Sequence, residues 1–176
     1  MPVPRTIHLI PLALALLSAP ITAKPASQSV GSAALFSAKG SDVGYAVISK
    51  KRDRAVLRIS LNGIAPGDHG LHFHTTGACK GDGFSGAGGH LNPGGHQHGM
   101  KNPMGSHLGD LPNITADANG FVLTEIPLTG SAKRLIAALF DADGSAIVVH
   151  AGPDDNITDP SGNSGGRIAC GVFRKN

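Results

Sequence analysis

The sequence predicts an all-β domain, a sandwich or barrel of about eight short antiparallel strands joined by long loops. Three observations predict it. Short runs of alternating apolar and polar residues recur along the chain, and Gly, Pro, Asn and Asp turn signals separate them. Only one stretch, Lys133 to Phe140, has helical character. No internal repeat is present.

Residues 1–23 stand apart. Arg5 is the only charge before a mostly apolar run, Ile7 to Ile21, and Ser18, Ala19 and Ala23 supply small residues near a cleavage point after Ala23. That composition is expected of a secretory signal. The run is short for a membrane span and is interrupted by Pro11 and Pro20. Residues 24–176 are then expected to form a single domain, free of the membrane and exported to a periplasmic or extracellular space.

Three strands are expected first: Val30 to Ala38, Val43 to Ser49, and Arg54 to Leu61. Gly40-Ser41-Asp42 and Lys51-Arg52-Asp53 are the connecting turns. In the third strand Leu57, Ile59 and Leu61 alternate with Val56, Arg58 and Ser60, so one face is apolar. Asn62-Gly63 and Pro66-Gly67-Asp68 break the chain before a strand that carries Leu71-His72-Phe73-His74. A long glycine-rich loop follows. Asn119-Gly120 opens the strand Phe121 to Leu128, and Asp143-Gly144-Ser145 turns into Ala146 to His150. After a polar loop from Gly152 to Gly166, Arg167 to Phe173 is the last strand.

The chain has fifteen basic and twelve acidic side chains; Arg5 is the one basic residue within 1–23, so fourteen remain after it is removed. The balance is weakly positive, without runs of like charge or a basic patch among aromatics. This argues against a nucleic-acid partner. Cys79 and Cys170 are the only cysteines. In an exported protein two cysteines point to one disulfide. Closing so long a loop is worth about 4 to 5 kcal/mol in the chain-entropy model.

The chemistry lies in the histidines. His72, His74, His90, His96, His98 and His107 are six of nine, and all fall before Asp110; His150 ends an apolar run far downstream. Residues two apart on a strand face the same way, so His72 and His74 can chelate one ion. Imidazole favours copper, zinc, iron or nickel over calcium or magnesium. The bland alternative is a strand with two solvated polar positions. Farther on, His90, His107, Asp110 and one of His96 or His98 offer three imidazoles and a carboxylate, a donor set suited to structural zinc. A loop this long without a core of its own is uncommon unless it has a function.

At these residues the chain resembles the copper/zinc superoxide dismutase family, of the exported bacterial type. The likeness rests on Gly70-Leu71-His72-Phe73-His74, Gly89-His90-Leu91-Asn92-Pro93, His107-Leu108-Gly109-Asp110-Leu111, Val148-Val149-His150 and Gly165-Gly166-Arg167-Ile168-Ala169-Cys170-Gly171-Val172. It spans about residues 40–173. The resemblance implies an eight-stranded Greek-key barrel, an architecture for which this enzyme is itself a known example. It implies copper on His72, His74, His90 and His150, and zinc on His90, His98, His107 and Asp110, with His90 shared. It also implies that Asp154 links ligands of both sites, that Arg167 holds the anionic substrate, and that Cys79 pairs with Cys170. The substrate would be superoxide, and the assembly a homodimer or a monomer.

The family position selects His98 over His96, which is read as a solvated loop residue. His69 is read as a surface residue facing away from His72, and His8 goes with the signal. The 152–166 loop carries Asp154, Asp155 and Asp159 but no lysine, whereas animal cytosolic members place a guiding lysine there. Guiding charge is expected instead from Lys80 or Lys101. Two other function classes use the same histidines: a metal buffer or carrier without turnover, and a structural sandwich that has lost its metals.

Overall fold

The computed structural model describes Met1 and residues 27–176. The proposed secretory segment, Met1 apart, lies outside the described residues. The first three strands form two hairpins: β1 (Gln28–Ser37), β2 (Asp42–Lys51) and β3 (Arg54–Leu61). In β3, Ala55, Leu57, Ile59 and Leu61 are buried, while Arg58 on the other face pairs with Glu125 in solvent.

The chain continues through β4 (Gly67–His69), β5 (Leu71–His74), β6 (Ile114–Ala116) and β7 (Val122–Leu128). It then forms α1 (Ala132–Leu139), β8 (Ala146–His150), β9 (Arg167–Val172) and β10 (Arg174–Lys175). Helix α1 turns Ala132, Leu135 and Leu139 onto the core, as its 3.6-residue spacing requires. The main sheet runs β5-β8-β9-β1-β2-β3-β7, with β10 also on β1. Every pairing in it is antiparallel. Pro127 is tolerated because β7 is its outermost strand.

Three short strands were not foreseen, β4, β6 and the two-residue β10 that follows the expected last strand. The segment read as a break at Pro66-Gly67-Asp68 holds β4, which pairs with β6 in a separate ribbon. Three-residue strands are too short to display a period of two. Only Gly70 separates β4 from β5, and β6 packs beside β7, so the ribbon links the edges of the curled sheet. The result is the all-β Greek-key architecture expected.

The two faces of β5 and β8 do different work. Leu71, Phe73, Ile147 and Val149 enter the main core. Ala146 and Val148 face outward, into a smaller cluster with Phe84, Ala87 and Cys170. His72 and His74 share that outer side, yet both are fully buried. Long loops cover them, and the Cys79–Cys170 disulfide ties one of those loops to β9.

Candidate metal centre

β5 has a strand partner, β8, on one side only. On the other side the histidine loop takes the place of a strand. Phe73 N–H donates to Gly109 O at 2.9 Å, Phe73 O accepts from Leu91 N–H at 2.8 Å, and Gly109 N–H donates to Leu91 O at 2.9 Å. The backbone at an otherwise bare edge is thereby satisfied. These bonds set His90 opposite His74 and Asp110 opposite His72. Gly109 permits the junction, since a Cβ there would run into Phe73 O and lie 2.9 Å from Leu91 N.

Four rings converge on one pocket: His72, His74, His90 and His150. Three are held through one nitrogen. His72 Nε2 meets Asp154 Oδ2 at 2.6 Å, His74 Nδ1 meets Gly88 O at 2.9 Å, and His150 Nδ1 meets Gly165 O at 3.1 Å. Oxygen acceptors there place the hydrogen on that nitrogen and leave a lone pair on the other. The remaining nitrogens, Nδ1 of His72 and Nε2 of His74, His90 and His150, are buried without a hydrogen-bond partner among the described residues. Each such atom costs about 1–3 kcal/mol unless something binds it.

A second set lies on the far side of His90. Its Nδ1 is 3.0 Å from Asp110 Oδ1, and His98 Nδ1 and His107 Nδ1 are 3.1 and 3.2 Å from that same oxygen. His107 Nδ1 is 3.4 Å from His90 Nδ1. For metal bonds of about 2.0–2.1 Å, a ligand tetrahedron has edges of about 3.3 Å. The donor set therefore fits a tetrahedral ion such as zinc, and the first pocket, all imidazole, fits copper. His72 also comes within 4.8 Å of His90, His98 and Asp110. His107 is the better fourth member, because Asp154 already engages His72 Nε2.

Asp154 joins the two halves. Its Oδ1 lies 3.1 Å from His98 Nε2 while Oδ2 holds His72. Asn113 in turn clamps the Asp154 backbone, donating from Nδ2 to its carbonyl and accepting its N–H, both at 2.9 Å. Nothing local in the sequence reveals this clamp, since its two partners lie 41 residues apart. Gly162, at φ +64°, leaves room for the carboxylate, since a Cβ would fall on Asp154 Oδ1.

Arg167 is opposite His150 in the β8–β9 register. Its guanidinium donates to Phe84 O at 2.8 Å and Gly88 O at 2.7 Å. Gly88 O thus holds both Arg167 and His74, a ring of the four-imidazole pocket. His96 is exposed, as expected, and so are Lys80 and Lys101. The expectation for His69 fails. It is 3% exposed, with Nδ1 2.7 Å from His150 O and Nε2 2.8 Å from Ala65 O. The β4–β6 ribbon, invisible in the sequence, carries it inward beneath His150.

Burial pushes the His72 imidazole down to about 3 and that of His150 to about 4, and it lowers His74 and His90 as well. All four are neutral at neutral pH, the form that binds metal. Burial works against ionisation of Asp110 and Asp154, but hydrogen bonds prevail. Those from His90 and the Gly99 N–H hold Asp110 low, and those from His72 and His98 hold Asp154 below the usual carboxylate range.

Comparison with known proteins agrees with this geometry. The family described as copper/zinc superoxide dismutase matches residues 43–173. The Cu-Zn superoxide dismutase of Caulobacter vibrioides is 43% identical over 141 residues, covering 77% of this chain and 80% of its own. The crystal structure of a SOD-like protein from Bacillus subtilis is 39% identical, with a TM-score of 0.74, over 80% of this chain and 96% of that one. Cu/Zn superoxide dismutase from Brucella abortus is 28% identical, with a TM-score of 0.67, over 85% of this chain and all of its own. With a family match running from β2 to the end of the barrel, and a relative of this identity along most of its length, the chain belongs to the copper/zinc superoxide dismutase family.

Proposed function

We infer that the protein dismutates superoxide, with His72, His74, His90 and His150 holding copper and His90, His98, His107 and Asp110 holding zinc. One observation carries the ligand assignment. Four buried ring nitrogens without partners point into one pocket, and one of those rings presents its other nitrogen to a tetrahedral donor set. When bound, copper supplies the one-electron chemistry that turns two superoxide anions and two protons into oxygen and hydrogen peroxide, and zinc has no redox part in it.

The chain supplies the rest. Arg167 keeps its charge at neutral pH and offers a fixed cation for a small anion. Its two carbonyl anchors hold it beside His74 and His150, and no carboxylate among the described residues pairs with it. His90 Nε2 is the atom at which a proton can be held and handed to the product. Asp154 keeps His72 and His98 in the tautomer that frees each Nδ1. Long-range attraction is assigned to Lys80 and Lys101. Lys80 accepts the Gly86 N–H through its carbonyl, beside the turn that anchors Arg167. A cationic approach raises encounter rates, and superoxide dismutases are themselves standard examples of turnover near the diffusion ceiling.

The test is metal content and superoxide decay measured on one sample. The expected result is one copper and one zinc per chain with catalysed decay. Bound metals without acceleration would favour the buffer or carrier. We also assign residues 1–23 as a secretory signal and the site of action as periplasmic or extracellular, which the disulfide supports. The mass of the mature chain tests this. The homodimer is tested by sedimentation.

A further inference from the structure

We propose that Asp159 is a positioning residue for the zinc half, a second carboxylate that sets His98 and His107; this rests on the zinc assignment above. An imidazole that binds metal through Nδ1 carries its hydrogen on Nε2, and that N–H needs an acceptor outside the ligand shell. His98 has one in Asp154, at 3.1 Å. His107 Nε2 faces Asp159 Oδ1 at 3.9 Å. That separation is too long for a direct hydrogen bond, so the carboxylate faces the ring nitrogen without closing on it. The same oxygen accepts the His98 backbone N–H at 2.5 Å. A single carboxylate oxygen therefore fixes the backbone of one zinc-side ring and faces the outer nitrogen of the other.

The location makes the contact consequential. Asp154 and Asp159 both belong to the loop between β8 and β9, whereas His98 and His107 belong to the loop between β5 and β6. Asp154 reaches from the first loop to the copper side and to His98. Asp159 reaches to His98 and His107 at the rim, where its side chain is 50% exposed and that of His107 7%. Two carboxylates thus tie one loop to the other at His98, Asp154 at the ring and Asp159 at the backbone N–H. Asp159 does not line the copper pocket, so its effect should fall on zinc.

The experiment compares the full mature protein with Asp159→Asn and Asp159→Ala. Zinc affinity is read by chelator competition, the zinc-side geometry by the visible spectrum of cobalt(II) bound there, and the controls are copper affinity and the Tm of the metal-free protein. Asp159→Asn keeps an acceptor for the His98 N–H and loses the charge facing His107. Zinc affinity should fall about tenfold in Asp159→Asn and up to about a hundredfold in Asp159→Ala, the range for outer partners of metal ligands. The cobalt bands should shift, and copper affinity should stay within about twofold of the parent. Unchanged zinc affinity and cobalt bands in both variants would overturn the proposal. So would equal losses of copper affinity, zinc affinity and metal-free Tm, which would mark a general structural role. Failure of the parent protein to bind zinc or cobalt on these ligands would remove the zinc assignment itself, and this inference with it.

Discussion

The proposed copper side and the proposed zinc side of the centre are built by different means. On the copper side, His72, His74 and His150 stand on β5 and β8, whose backbones are paired residue by residue. The sheet holds them whether or not an ion is present. On the zinc side, His98, His107 and Asp110 come from a loop, and one carboxylate organises it. Asp110 Oδ2 accepts the Gly99 and His107 N–H groups at 2.9 and 3.0 Å, while Oδ1 faces three ring nitrogens. The difference teaches that a ladder can preform a site, whereas a loop needs a hub. His90 belongs to both.

The strongest way to break this contrast is to remove one member from each side. His150→Ala should cut superoxide turnover by more than about 100-fold, beyond the roughly 10–100-fold typical of outer partners, and leave zinc at one per chain. Asp110→Ala should release zinc and leave copper bound. If the two variants lose both metals alike, measured by elemental analysis, the halves are not separately built.

The next effect is on the metal-free protein in acid. Burial holds His72 near 3 and His150 near 4, against an ordinary value of 6.5. The unfolded chain then binds more protons than the folded one between about pH 6.5 and 3, so stability is complete above that window and is lost as pH falls through it. Each group contributes up to about 1.4 kcal/mol per pH unit. Denaturant midpoints from pH 7 to pH 4 should fall steeply for the metal-free protein. A flat profile would mean that the ladder does not keep these rings buried without metal.

Smaller again, Arg167→Ala should lower kcat/KM about tenfold and flatten its dependence on ionic strength, the lower end of what a guiding cation contributes. Zinc affinity should not move, because Arg167 touches only the copper side. The smallest effect is expected at Asn113, which supports the link between the halves. Asn113→Ala leaves the Asp154 N–H unpaired, although the Asp154 carbonyl still accepts from Asn156 Nδ2, and should cost about 1–3 kcal/mol, read as a lower Tm. A neutral result would make the clamp dispensable.

Much of this was legible in the chain. The bounds of β3 follow from its alternation, those of β8 from an apolar run after a turn, and α1 lies within a residue of its expected span. The structure also brings together the seven side chains that the resemblance pointed to, as well as Asp154. Other features were hidden. β4 and β6 are too short to announce themselves, so His69 was misplaced on the surface. Asn113 and the Phe84 and Gly88 carbonyls gave no signal, because their partners lie 41, 83 and 79 residues away.

By itself the sequence determined the longer strands, the two-residue spacing that puts His72 and His74 on one side, and the stock of donors. Those properties depend on neighbours along the chain. Only the tertiary structure decided which nitrogen of each ring is free. That choice is made by an acceptor on the opposite nitrogen, and the acceptors of His72, His74 and His150 arrive on loops that the fold, not the local sequence, lays against them.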